Sequence, residues 1–273
     1  MADSSLSLLD CSVPEPLVTF VSAHMASFEC AAHGMDHVQR VCHLALRLAA
    51  REGAEARTVL AAALCHDVLD SKLLASGDRS AVEASLVEQL RAATLLAGSR
   101  FLSDSQVEHV LFIVKNIGYR HLLDPTWDAS SQSAELRCVQ DADLLDAIGS
   151  TGIARCYAFG GKRNRPLLDL GPGVIGRIEM TPEVYAASRG SGLEHFFEKL
   201  LRIPGMMTTA AGAELAQARM ARMVAFIAGL RAEVEEGGQC SRDIGIGGDA
   251  CSRALLDANL APFLNQLDAR CPE

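Results

Sequence analysis

An imidazole followed directly by a carboxylate, His66-Asp67, sits inside the otherwise apolar run Ala-Ala-Ala-Leu-Cys-His-Asp-Val at positions 61–68. Charged side chains are rarely buried unless they are paired or bind a metal, so this doublet requires a compensating partner. Two distant segments supply one: residues 33–41 carry His33 and His37, and residues 140–146 carry Asp141, Asp143 and Asp146. A centre built from His37, the doublet and a later aspartate accounts for all three segments at once. Two imidazole nitrogens with two carboxylate oxygens suit Mn, Fe, Ni, Co or Zn better than Ca or a thiolate-bound metal. With four protein ligands, an octahedral ion keeps positions for water and substrate.

The elements that must position these residues are helical by periodicity. Helices are expected over residues 17–32, 36–52, 56–68, 80–97, 103–117, 134–149, 193–202 and 211–235, with Asp36 opening the second and Gly53 stopping it. On the second, His37, Val41, Leu44, Ala45 and Leu48 share one face, which places His37 on the buried side. On the third, Val59, Ala62 and His66 share a face and Leu60, Ala63, Leu64 and Asp67 the neighbouring one, so one helix end offers two ligands. In the 134–149 helix, Asp143 aligns with Leu136, Val139 and Ala147, and Asp141 with Leu145 and Ile148. Either can turn inward, with the greater weight on Asp143. The glycine- and proline-rich stretch 160–191 is longer than most connections and is expected to be irregular and to cover a site.

Composition bounds the rest. In 273 residues, 49% are hydrophobic and only 5% aromatic, a balance that favours an all-α protein with an ample core. The formal net charge of -9 argues against a nucleic-acid polymer or an anionic membrane as partner. No stretch has the apolar length of a membrane span, and the N-terminus lacks the basic and apolar regions of an export signal. The nine cysteines are scattered singly, with no CxxC pair. Together these features predict a cytoplasmic protein with reduced thiols that are mostly small core residues. The glycines at 245–248 loosely fit a dinucleotide fingerprint, but no strand precedes them, which excludes that reading.

At these residues the chain resembles the HD-domain metal-dependent phosphohydrolases, whose signature is a helical His, a His-Asp doublet and a distant Asp. It is most similar to their small single-domain, YpgQ/YedJ-like subgroup, through Ala32-His33, His37 with Arg40-Val41, the run from His66 to Leu73, and Glu135 with the run from Val139 to Gly149. Gly152-Ile153-Ala154-Arg155 and the run from His195 to Leu201 continue the match, which spans about residues 18–236. The resemblance implies an all-α helical bundle, one divalent metal (Mn, Ni, Co, Fe or Zn, with Mg an option) on His37, His66, Asp67 and Asp143, and hydrolysis of a phosphate ester or anhydride. The subgroup further implies cleavage of nucleoside triphosphates to monophosphate and pyrophosphate. Gly34 departs from the family, which usually has Asp there, and this questions one contact outside the four ligands.

Phosphate chemistry assigns the remaining roles. Asp70, one turn past His66, is a candidate general base or supporting acceptor, though it can equally pair with Lys72. Asp67, besides its place at the ion, is the other catalytic candidate, through a hydrogen bond to the attacking water. Lys72, Lys115, Arg120 and Arg165 are candidates for binding phosphate oxygens. Each has an ordinary alternative, since isolated charges normally sit in water and a lone histidine on an apolar face is usually a satisfied core residue. The recurrence of three ligand-bearing segments shifts the balance for His37. The expected organisation is an HD phosphohydrolase domain over residues 1–236 and a C-terminal appendage over 237–273, partly disordered or one helix, with a homodimer allowed. Two other classes stand beside this one. A non-catalytic nucleotide-sensing module would keep the pocket without turnover, and an HD-type di-iron oxygenase would need further histidine ligands.

Overall fold

The computed structural model describes residues 13–26, 32–70, 79–94, 98–128, 130–168 and 181–243. The fold is all-α, and among the described residues there is no strand, only an isolated bridge between Thr94 and Arg100. No described helix is long and apolar enough to cross a membrane. The chain divides into two compact units: residues up to Asp146 together with Thr208–Gly212, and Ala147–Met207 together with the chain from Ala213 onward.

The first unit holds α1 (Glu15–Ala26), α2 (Met35–Glu52), α3 (Ala56–Cys65), α4 (Arg79–Ala92), α5 (Asp104–Asn116), the short α6 (Tyr119–Leu122) and α7 (Ala134–Asp146). Helix α3 is its centre, with every residue from Thr58 to Cys65 buried and α2, α5 and α7 packed around it. The small side chains of Ala61, Ala62 and Ala63 let those neighbours approach. Val38, Val41, Ala45 and Leu48 of α2, Val107, Val110 and Ile113 of α5, and Leu136, Val139 and Leu145 of α7 complete the core. Local signals set the boundaries. Glu55 caps α3 by accepting from the Arg57 and Thr58 amides, and Ser103 and Gln106 form a reciprocal capping box on α5. Gly53 closes α2 in the left-handed conformation and donates to the Ala49 carbonyl.

Several expected boundaries shift. Helix α3 ends at Cys65, not at Val68, and tight turns follow in which Val68 N donates to Cys65 O and Asp70 N to Asp67 O. Helix α4 ends at Ala92, and the chain turns back through Gly98 so that Phe101 N reaches Ala93 O and the Phe101 and Leu102 side chains enter the core. Helix α1 ends its described course at Ala26, and residues 27–31 lie outside the described set.

The second unit holds α8 (Gly149–Lys162), α9 (Pro182–Ala187), α10 (Gly192–Glu198), a 3₁₀ helix (Leu200–Met206) and most of α11 (Ala210–Asp243). The expected single helix over 134–149 gives way to two, because Gly149 adopts a φ of 74°, a left-handed conformation that ends one helical path and opens α8. Tyr157, Phe196 and Phe226 form an aromatic cluster with ring centroids 5.7–6.1 Å apart. The expected helix over 193–202 breaks at Lys199 into α10 and the 3₁₀ turn, which contains Pro204. Within the stretch expected to be irregular, α9 forms with Thr181 as its cap, and residues 169–180 lie outside the described set. Helix α11 continues through Gly237 and Gly238 to Asp243. The glycine-rich positions 245–248 and the helix expected around 252–267 lie outside the described residues.

Candidate metal centre

His37 projects from the first turn of α2, His66 and Asp67 from the turn after α3, and Asp143 from the last turn of α7. The two imidazoles are held in defined tautomers. His66 Nδ1 lies 2.8 Å from the Ala63 carbonyl, which can only accept, so Nδ1 carries a proton, and in the neutral ring Nε2 carries the lone pair. That ring bonds the same carbonyl that a continuing helix would offer to the Asp67 amide, consistent with α3 stopping at Cys65. His37 Nδ1 lies 2.8 Å from Asp146 Oδ2, which likewise places the proton on Nδ1 of the neutral ring.

The two Nε2 atoms then face each other at 3.2 Å. Two lone pairs at that distance repel unless a proton or cation lies between them. Two carboxylates close around the same point: Asp67 Oδ2 lies 3.5 Å from His37 Nε2 and Oδ1 3.4 Å from His66 Nε2, and Asp143 Oδ1 lies 3.6 and 3.8 Å from the two rings. Asp67 Oδ2 is buried without a hydrogen-bond partner. For bonds near 2.1 Å, donor atoms around one ion stand about 3.0 Å apart at right angles and about 3.4 Å apart in a tetrahedron. The 3.2 Å His37–His66 and 3.4 Å His66–Asp67 separations fall in that range, and the other three, at 3.5–3.8 Å, lie just above it. The His37, His66 and Asp143 group can hold a metal ion, with Asp67 beside it.

Charge in the cluster is unbalanced. Burial opposes the His66 imidazolium, but the Asp67 carboxylate, by its charge and hydrogen bond, and the Asp143 charge outweigh it and carry the His66 pKa to about 9. Burial also opposes the Asp67 carboxylate, and the neighbouring His66 and His37 nevertheless hold it well below the usual range. The pocket thus favours positive charge at its centre, and a divalent cation would displace the protons that otherwise supply it.

Comparison with known proteins gives this arrangement its place. The HD domain family matches residues 34–148, a span that contains all four of these side chains. Bacillus subtilis YpgQ, a protein described as uncharacterized, is 30% identical over 220 residues, covering 81% of this chain and 93% of its own. The chain belongs to the HD-domain family. A crystal structure from Lactobacillus plantarum has a TM-score of 0.65 at 32% identity, covering 80% of this chain and 94% of the other. An HD-superfamily hydrolase from Bacillus thuringiensis has a TM-score of 0.58 at 29% identity, covering 80% and 95% of the two chains. YpgQ in complex with ADP gives 0.56 at 29% identity, with the same coverage.

In this HD domain the Asp146 carboxylate does more than pack. It accepts from His37 Nδ1 and from Arg40 Nε and Nη2 at 2.8 and 3.1 Å, while Arg40 Nη1 also reaches Asp36 at 2.7 Å. The pair of carboxylates raises the Arg40 pKa, with the Asp146 hydrogen bond the largest contribution. The sequence offers Asp146 only as one of three aspartates near the doublet and assigns Arg40 no chemical role. The available signal was spacing, since Asp146 follows Asp143 by three residues and Arg40 follows His37 by three, one helical turn in each case.

Asp141 goes elsewhere. Two residues from Asp143 at about 100° per residue puts it on nearly the opposite side of α7. There it accepts from the amides and hydroxyls of both Thr208 and Thr209 at 2.7–3.1 Å. Burial raises its pKa, and the Thr209 and Thr208 hydrogen bonds oppose the rise. His33 lies near the centre, its ring 6.2 Å from that of His37, but outside the group that can hold an ion. Asp70 is half-buried in the turn after Asp67. Lys115 pairs with Glu83 at 2.5 Å, Arg120 is exposed on α6, and Arg165 belongs to the second unit, where it donates to the Ser188 carbonyl. Lys72 lies outside the described residues. Gly34, the departure from the family pattern, is the N-cap of α2 and makes no side-chain cap.

Proposed function

We propose that this HD domain is a divalent-metal-dependent phosphohydrolase whose substrate is a nucleotide, with nucleoside triphosphate cleaved to monophosphate and pyrophosphate. The observation that carries the reading is the pair of Nε2 atoms 3.2 Å apart, flanked by the Asp67 and Asp143 carboxylates. The ADP bound to YpgQ supports a nucleotide as the phosphorylated ligand.

In this reading His37 and His66 hold the ion through neutral nitrogens, so they bind it without cancelling its charge, and Asp67 and Asp143 anchor it. When bound, a divalent cation neutralises a phosphoryl oxygen and lowers the pKa of water beside it. The Asp70 carboxylate accepts a proton from the attacking water. The water oxygen bonds to the α-phosphorus, the bond from that phosphorus to the α–β bridging oxygen breaks, and the electron pair leaves with pyrophosphate. Lys115 and Arg120 of this unit, with Lys72, are the cations assigned to phosphate oxygens. Lys115 must exchange its Glu83 partner to serve, whereas Arg120 is exposed and available.

The test is a panel of nucleoside mono-, di- and triphosphates with Mn²⁺, Ni²⁺, Co²⁺, Fe²⁺, Zn²⁺ and Mg²⁺, scored separately for phosphate and pyrophosphate. Pyrophosphate release from triphosphates that stops with chelator supports the reading. Phosphate release alone would move the scissile bond. Nucleotide binding without release would make the domain a sensor.

A further inference from the structure

Helix α7 buries a side-chain amide beside the centre. Gln140 lies one turn before Asp143 on α7, about 60° around the helix from it, and is only 1% exposed. Its Oε1 accepts from the Gly118 amide at 3.0 Å. A backbone N–H can only donate, so this bond fixes which end of the side-chain amide is oxygen. The Nε2 end is buried with no hydrogen-bond partner. Leaving a donor buried and unpaired destabilises a fold, and an apolar side chain would avoid that penalty. Those hydrogens are thus available to a partner that the described residues do not supply.

The surroundings narrow the choice. Gly118 has a φ of 128°, a backbone conformation that L side chains rarely adopt, and it forms the sharp turn between α5 and α6. That turn carries Lys115 on one side and Arg120 on the other, so the Gln140 carbonyl anchors a cationic segment beside α7. Residues one turn apart on a helix have Cβ atoms about 5–6 Å apart. A phosphoryl group at the Asp143 carboxylate is therefore within reach of a glutamine one turn away, whereas a nucleobase lies several bonds farther along the ligand. Nε2 has no lone pair to give a metal, and its oxygen is committed to Gly118.

We infer that Gln140 Nε2 donates to a phosphoryl oxygen of the substrate, and that α7 presents an ion ligand and a phosphoryl-oxygen donor one turn apart. This rests on the phosphohydrolase reading. The role is substrate binding, distinct from holding the ion.

Gln140→Glu is the discriminating variant, because it keeps an acceptor for the Gly118 amide and replaces the donor by an anionic oxygen. Gln140→Met, which removes both polar ends, guards against a folding failure of the first. The chain has a single tryptophan, Trp127, whose ring lies 5.6 Å from that of His121 beyond the same turn, so its fluorescence can report ligand at this edge. Affinities for ADP and for inorganic pyrophosphate would be measured with Mn²⁺ present, beside metal content and melting temperature. The expected result is a weakening of both ligands by ten-fold or more in each variant, with KM for nucleotide rising in step and metal content unchanged. Wild-type affinities, weaker ADP binding with unchanged pyrophosphate binding, or a lowered melting temperature with unchanged affinities would overturn the inference while leaving the ion site standing. A wild-type protein that takes up metal but neither binds nor hydrolyses any nucleotide would remove the parent reading and this one together.

Discussion

His37 and Asp146 are joined by a 2.8 Å hydrogen bond from Nδ1 to Oδ2, and that bond decides which nitrogen of His37 faces the centre. With the proton held on Nδ1, the Nε2 lone pair is directed at the space shared with His66. Asp146 is itself held by Arg40, so orientation passes from Asp36 through Arg40 and Asp146 to the ring.

Asp146→Asn weakens this chain without removing an ion ligand. Loss of such a supporting carboxylate lowers metal affinity by about 10–100-fold. Equilibrium dialysis against Mn²⁺ with a competing chelator measures the shift, and an unchanged affinity would show that the His37 ring is oriented by packing alone.

Asp141 and Asp143 are separable by mutation. Asp143→Asn is expected to reduce bound metal with little change in melting temperature. Asp141→Ala strands the four donors of Thr208 and Thr209 and is expected to cost roughly 2–4 kcal/mol of stability while metal content per folded chain is retained. Denaturant unfolding and metal analysis on both variants check the division.

Buried thiols give a pH dependence of opposite character to that of a carboxylate. Burial lifts Cys42 and Cys138 from an ordinary 9.0 to about 12 and raises Cys65 as well. A raised thiol pKa stabilises the fold fully below pH 9, and the contribution is lost as pH rises toward 12, because the unfolded chain ionises first. Each such thiol is expected to lower stability by about 1.4 kcal/mol per pH unit in that window. Unfolding free energies at pH 8, 9.5 and 10.5 test the slope. At pH 8, mass mapping after brief alkylation should find these three cysteines unmodified until denaturant is added.

Much of this was legible in the sequence because the informative residues violate the pattern around them. A His-Asp doublet in an alanine-rich run, and a histidine in phase with Val41, Leu44 and Leu48, are visible without coordinates. The all-α class followed from composition, with helices placed by periodicity, and the HD family from a resemblance carried by the same residues. Other features depended on three-dimensional detail. The end of α3 depends on a ring-to-carbonyl bond at Ala63 that no propensity encodes. The opposite destinations of Asp141 and Asp143 require knowing what α7 packs against on each side, since both aspartates share phase with apolar residues. Gly149 could be read as the end of a helix but not as the start of the next, because a left-handed glycine permits either.

Asp67 and Asp70 are expected to fail differently. Asp67→Asn should lower both metal occupancy and turnover, with partial recovery in excess Mn²⁺. Asp70→Asn should keep its metal and lose about 10²-fold or more in kcat, with no recovery at any Mn²⁺ concentration. Activity titrated against Mn²⁺ for both variants distinguishes them, and wild-type kcat in Asp70→Asn would remove that carboxylate from the mechanism.

The central claim is that one ion, bound where the two Nε2 atoms meet, is required for phosphate chemistry. Its most direct measurement is metal stoichiometry and nucleotide hydrolysis on the same samples of chelator-stripped protein, before and after reconstitution with Mn²⁺, for wild type and His66→Ala. The account predicts one ion per chain and restored hydrolysis in wild type, and neither in His66→Ala. Hydrolysis by stripped wild type, or full metal content and activity in His66→Ala, would contradict it.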